Sequence, residues 1–245
     1  MAMSPPYLRS IHIPPQQGNQ NFPLNTLMAA KGIDLLCKAP ITIICGENGS
    51  GKSTLLEALA INCGFSVLGG GRNNILMDQT SDVTPLAEAT KLVWNKKTPH
   101  GFFMRAESFH QFSTHIDELA EASGLALAPY GCKSLHEQSH GESFISLFSN
   151  RFGKGLFILD EPESALSPQR QLELMIIIND LAATGESQFI MATHSPLLMA
   201  LPNSQFLLLD DGVFTEAVYH QSRHFKVMAR FFANPETYVK QVLDN

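Results

Sequence analysis

Two groups of residues carry the types and spacing that chemistry needs. The first is Gly46-Glu47-Asn48-Gly49-Ser50-Gly51-Lys52-Ser53, which fits the pattern G-x-x-x-x-G-K-S/T. Glycines at those positions let backbone N–H groups come close to an anion, and a helix N-terminus behind them adds oriented donors and the positive end of a dipole. The lysine of such a loop reaches the β and γ phosphates of a nucleoside triphosphate, and the hydroxyl that follows it binds Mg²⁺. With ordinary residue frequencies the pattern arises by chance in about one chain in a hundred of this length. The stretch from Gly46 through Thr54 is therefore expected to hold a nucleoside triphosphate.

The second group is Asp160-Glu161, 108 residues after Lys52, at the end of the apolar run Leu156-Phe157-Ile158-Leu159. An aspartate ending such a strand helps Ser53 hold Mg²⁺, and a glutamate beside it orients or deprotonates the attacking water. The spacing assigns Asp160 to the metal and Glu161 to the water.

The elements that position these groups are legible from periodicity. Ile41 to Cys45 is a short β-branched run that reads as a buried strand, and Ser53 to Ile61 reads as the helix behind the loop. Tyr7 to Ile13 and Ile33 to Leu36 read as strands of an N-terminal edge sheet, separated by a Pro/Gln/Asn-rich loop. Leu86 to Trp94 fits both a helical and a strand period. Phe102 to Met104, Leu156 to Leu159, Gln188 to Ala192 and Phe206 to Leu209 read as further strands. Thr114 can cap a helix to about Glu121, and Glu142 to Asn150 supports another. Ser167-Pro168 opens a long helix to about Ala182. Ser222 to Asn245, with Phe225, Val227, Met228, Phe231 and Phe232, reads as a helix packed on the core, with a partner-binding face as the alternative. Strands alternating with helices predict an α/β fold with a largely parallel sheet. Residues 1–245 read as one domain, with a short helical lobe at about 108–150.

Composition narrows the class. The chain has 245 residues, 44% of them apolar, and a net charge of −6, so no broad basic footprint for nucleic acid is evident. No apolar run approaches the ~18 residues of a membrane span, and the first residues lack the basic flank and apolar core of a signal peptide. The expectation is a cytoplasmic protein without an integral membrane segment. Cys37, Cys45, Cys63 and Cys132 show no C-x-x-C spacing and read as reduced thiols. Gly69 to Asn74 reads as a surface turn, and Lys91 to Arg105 as a solvated hairpin. Tyr7, Arg9 and Phe22 are candidates for stacking on adenine, with a structural role the preferred reading of each.

Three more segments give the chain its resemblance to the ABC-type ATPases. Ser139-His140-Gly141-Glu142-Ser143 resembles that family's S-G-G-Q signature, Glu163 to Ser167 resembles the loop that crosses its dimer interface, and Ala192-Thr193-His194-Ser195 is similar to its switch-histidine segment. Asp160-Glu161-Pro162-Glu163 departs from the transporter form, and Glu107 stands where transporter subunits carry a glutamine. These departures resemble the soluble RecF, SMC and OLD-like branch. Phe102-Phe103-Met104-Arg105-Ala106-Glu107-Ser108-Phe109 and the Q-S-H-G-E-S run further resemble a group of small bacterial AAA-family ATPases.

The resemblance implies an ABC-type ATPase domain working as an ATP-sandwiched homodimer. Lys52, Glu161 and His194 would be catalytic. Ser139, Gly141 and Glu142 would contact the nucleotide held by the other copy, and Glu107 would join Ser53 and Asp160 near the metal. It also implies work on nucleic acid or a partner protein. A transporter's energising subunit and a nucleotide-sensing dimerisation module with negligible turnover are the alternatives. Only 31 residues separate Glu107 from Ser139, too few for the coiled-coil arms of SMC-type proteins.

Overall fold

The computed structural model describes residues 5–16, 21–67, 69–71, 81–109, 114 and 140–244, with the side chains of 140–143 and 151 left aside. Two sheets are built from these residues. Strands β1 (Leu8–Ile13), β2 (Ile33–Leu36) and β4 (Lys91–Trp94) form an antiparallel sheet in the order β2-β1-β4. Strands β3 (Ile41–Gly46), β5 (Gly101–Arg105), β6 (Gly155–Asp160), β7 (Ser187–Ala192), β8 (Ser204–Asp210) and β9 (Val213–Glu216) form the main sheet in the order β5-β6-β7-β3-β8-β9. The first five strands in that order are parallel, and β9 closes the edge as a hairpin with β8.

The ambiguous stretch Leu86 to Trp94 contains both elements its periods suggested. Helix α3 (Thr84–Ala89) ends at Thr90 and strand β4 begins at once. The remaining helices are α1 (Leu27–Lys31), α2 (Lys52–Cys63), α4 (His140–Arg151), α5 (Pro168–Ala183), α6 (Pro196–Met199), α7 (Arg223–Ala233) and α8 (Pro235–Leu243). As expected, Ser167 caps α5, its side chain accepting from Arg170 N–H, with Pro168 at the first helical position. The Thr114-to-Glu121 helix falls almost wholly outside the described residues, as do Cys132 and Ser139.

Both faces of the main sheet are covered, and the pleat divides its side chains between two cores. Ile44, Leu156, Ile158, Ile190 and Ala192 point to the face packed by α2, α3 and the antiparallel sheet. Ile43, Cys45, Phe157, Leu159, Phe189 and Met191 point to the face packed by α4, α5 and α6. On that second face Phe152, Phe157 and Phe189 stack in series, with centroids 4.3 and 5.2 Å apart. Phe144, Leu147 and Phe148 of α4 are wholly buried, so the end of the expected helical lobe belongs to the main core.

Two buried glutamines join the sheets. Gln188 of β7 accepts from Tyr7 N and Leu8 N and donates to Leu8 O, while Gln205 of β8 accepts from Lys38 N and donates to Leu36 O. Such pairing satisfies polar groups that burial would otherwise penalise.

Three expectations are corrected. Gly69 to Gly71 are buried rather than on a surface turn, because Gly70 pairs with Phe103 beside the sheet. Arg105 is not on a solvated hairpin, since β5 carries it into a cluster of carboxylates described below. The C-terminal segment is helical but not part of the core: neither α7 nor α8 has a buried residue, and Phe232 is 69% exposed. Among the described residues no helix is long and apolar enough to cross a membrane.

Candidate active site

The order of the main sheet sets three strand ends side by side. β6 delivers Asp160 and Glu161, β7 delivers Thr193 and His194, and β3 delivers Gly46 and the glycine loop. The ladder runs on past the strands, with Glu161 N donating to Ala192 O at 3.0 Å and Thr193 N to Ile44 O at 3.2 Å. Residues far apart in sequence are thus fixed on one edge, where ligands of parallel sheets bind.

The loop from Gly46 to Ser53 has the shape of an anion cradle. A Cβ on Gly46 would sit 2.6 Å from Leu209 O, and Gly51 has φ of +99°, so both positions need glycine. Gly51 is the residue before α2 and offers no side chain to cap its first N–H groups. Lys52 is buried, and its Nζ donates to Gly46 O at 2.9 Å and Glu47 O at 3.0 Å. Burial lowers its pKa, opposed chiefly by the Glu161 carboxylate. Ser50 Oγ is buried without a hydrogen-bond partner, as fits a loop shaped around a polar ligand.

Asp160 is 3% exposed. Its Oδ1 accepts from Ser53 Oγ at 3.1 Å and its Oδ2 from Arg105 Nε at 3.2 Å. Burial raises its pKa, with Arg105 and the Ser53 hydrogen bond opposing. A hydroxyl and a carboxylate in contact are hard oxygen donors of the kind Mg²⁺ uses when phosphates and water complete its shell, so the residues present fit that ion. Glu107 stands apart from them: its side chain is 84% exposed, and its carboxylate lies 4.0 Å from Arg105 Nε, leaving the guanidinium between Glu107 and Asp160.

Glu161 holds a left-handed conformation, φ 48° and ψ 53°, which is costly for a residue with a Cβ and collects at functional sites. Its Oε1 is 3.3 Å from His194 Nε2. That nitrogen is shielded from water and makes no well-formed hydrogen bond. Burial lowers the pKa of His194, as do Lys52 and His224, so the ring is held toward neutrality. Glu163 steadies the segment, accepting from the backbone N–H groups of both His194 and Ser195.

Lys52, Ser53, Asp160, Glu161 and His194 therefore meet at one edge. Gly141 and Glu142 lie in the first turn of α4, whose side chains there are not described. Tyr7 is at the opposite end of the sheet, its hydroxyl donating to Glu186 O at 2.8 Å just before β7, so it cannot stack on a base bound at the loop. Sequence reading missed Arg105, Glu57, Glu163 and His224. Glu57 is legible in retrospect, lying one helical turn after Ser53 and accepting from Arg105 Nη1 at 3.3 Å. Nothing local marks His224.

Residues 143–200 match a family model described as an AAA domain, with the AbiEii toxin of a Type IV TA system named in its description. Residues 19–90 match another described as an AAA domain. The chain is 26% identical over 215 residues, covering 77% of it and 87% of the relative, to the thiamine import ATP-binding protein ThiQ of Rhizobium meliloti (strain 1021). Among solved structures it resembles cbiO1 of Clostridium perfringens, part of the ABC transporter complex cbiONQ, with TM-score 0.48 and 17% identity over 96% of this chain and 99% of that one. It also resembles the SMC head domain of Thermotoga maritima, with TM-score 0.41 and 13% identity over 86% of this chain and 98% of that one. With the cradle loop and the strand-end carboxylates beside the family-model and sequence matches, the chain is an ATPase, similar over parts of its length to AAA domains and to an ABC-type import ATP-binding protein.

Proposed function

We propose that the chain hydrolyses ATP with Mg²⁺ in a homodimer that sandwiches the nucleotide, and that the cycle of closing and opening drives work on nucleic acid or a partner protein. The observation that carries this reading is the meeting of Lys52, Ser53, Asp160, Glu161 and His194 on one edge of the main sheet. Lys52 would neutralise the β and γ phosphates, and Ser53 and Asp160 would hold Mg²⁺, which would supply positive charge to offset that of the phosphates. Glu161 orients the water and takes its proton, and neutral His194 donates to the γ phosphate.

Gly141 and Glu142 lie in the first turn of α4. Together with Ser139 of the same motif they would offer donors to the γ phosphate held by a second copy. Nucleotide then joins two subunits, and hydrolysis removes the shared contact. Glu161→Gln should abolish turnover, retain ATP binding and trap a dimer in a sizing experiment; undiminished hydrolysis by that variant removes Glu161 as the base.

A second reading has its own support: the relative named above is an import ATP-binding protein, which favours an energising subunit of a transporter. Co-purification with a multi-span membrane protein would favour it, and ATPase activity stimulated by DNA would favour the first.

A further inference from the structure

Helix α7 enters the candidate site through its first turn. His224 Nε2 lies 2.7 Å from His194 Nδ1, with the two rings 4.5 Å apart between centroids. On its other side His224 Nδ1 lies 3.7 Å from Cys45 Sγ, at the end of the loop-bearing strand. One residue earlier, Arg223 reaches Glu47 of the glycine loop at 3.2 Å.

A hydrogen bond between two ring nitrogens at 2.7 Å takes one hydrogen, so one ring donates and the other accepts. The ends of the chain of contacts decide which. At the Cys45 end, burial pushes the thiol pKa up to about 11, so Sγ keeps its proton at neutral pH and is a donor to His224 Nδ1. His224 then carries its own hydrogen on Nε2 and donates to His194 Nδ1. His194 in turn carries its hydrogen on Nε2, which faces Glu161 Oε1 at 3.3 Å. The opposite polarity would set a bare Nε2 lone pair against the Glu161 carboxylate and a second donor against the Cys45 S–H. Both ends therefore select the same direction.

We propose that His224 is a positioning residue for ATP hydrolysis, holding His194 as the Nε2–H tautomer aimed at the γ-phosphate position between Lys52 and Glu161. The inference rests on the reading of His194 as the residue that faces that phosphate. The charged groups facing His194 are Lys52, Glu161, Glu47 and the Glu163 carboxylate under its backbone. A doubly protonated His194 would put a hydrogen on Nδ1 against that of His224, so the arrangement requires the neutral ring.

Nitrogen NMR of the full chain, with His194 assigned by its loss in His194→Ala, reads the tautomer directly. A protonated Nε2 with a bare Nδ1 is expected, and the reverse pattern overturns the proposal. In kinetics His224→Ala should lower kcat on the order of 10- to 100-fold, the cost typical of losing an orienting partner, with KM for ATP little changed. His224→Gln, whose amide N–H can still donate to His194 Nδ1, should restore most of the loss. Equal activity of the Ala and Gln variants overturns the proposal. Loss of turnover in His194→Ala with full activity in His224→Ala overturns this inference alone, whereas full activity in His194→Ala overturns the reading beneath it.

Discussion

The strand ends of the main sheet and the C-terminal helices approach His194 from opposite sides and are held by opposite means. On the sheet side, Phe157, Phe189, Ile190 and Met191 are buried, and backbone hydrogen bonds tie Glu161 and Thr193 to neighbouring strands. On the helix side, α7 and α8 bury no residue, and contact runs through His224, Arg223 and an apolar hollow of about 610 Å³ shared by Leu197, Phe225, Met228 and Phe232. One wall of the site is fixed by a packed core, and the other by the polar contacts of His224 and Arg223 and by the partly exposed apolar face of α7. The proposed catalytic groups on the first wall are held by that core, whereas groups on the second lie on helices without buried residues, the kind of element whose displacement need not unfold a protein.

The sharpest test of this contrast is in turnover. Lys52→Ala should reduce ATP hydrolysis on the order of 10²- to 10⁴-fold in a steady-state assay, as expected for loss of a charge aimed at the reacting phosphates, while Phe232→Ala should leave it within about twofold. A comparable loss from Phe232→Ala would mean that the helices belong to the core after all. In denaturant unfolding, Phe189→Ala should cost about 3–5 kcal/mol through the cavity it leaves. Phe232→Ala should stay within about 0.5 kcal/mol.

A smaller effect is expected between the two walls. Glu163→Ala leaves the N–H of His194 without its acceptor, while that of Ser195 keeps Thr193 Oγ1 at 3.0 Å; the orphaned donor should cost about 1–3 kcal/mol and lower turnover. Glu163→Gln keeps a carbonyl acceptor and should cost less. The smallest effect is in pH. The folded pKa of His194 is lowered, so the unfolded chain takes up that proton first, and stability falls as pH drops below the unfolded value of about 6.5 toward the folded one. His194→Gln should flatten the fall in thermal midpoint between about pH 7 and pH 5. An unchanged slope would remove the buried neutral ring from the account.

The glycine loop, the strand before it and the helix after it were legible because each obeys a local rule: a β-branched run, glycine where a Cβ cannot fit, and Lys-Ser at the helix start. Asp160 and Glu161 were legible because an apolar strand ended at once in two carboxylates. The C-terminal helix misled for the same reason that its helicity was readable. Phe225, Met228 and Phe232 recur on one face, and periodicity reports such a face without reporting what covers it. Leu86 to Trp94 resisted assignment because two short elements of different period share nine residues.

The sequence by itself determined the expected ligand class and the residues proposed to touch it, since cradling phosphate and holding Mg²⁺ would impose residue types at fixed short spacings. Tertiary structure alone decided the company those residues keep. Arg105 lies against Asp160 because β5 and β6 pair in register, with Arg105 opposite Asp160. His224 meets His194 and Cys45 because the chain returns to the sheet edge 30 residues after one and 179 after the other. Contacts of that separation depend on strand order and helix placement, which no local pattern of residues encodes.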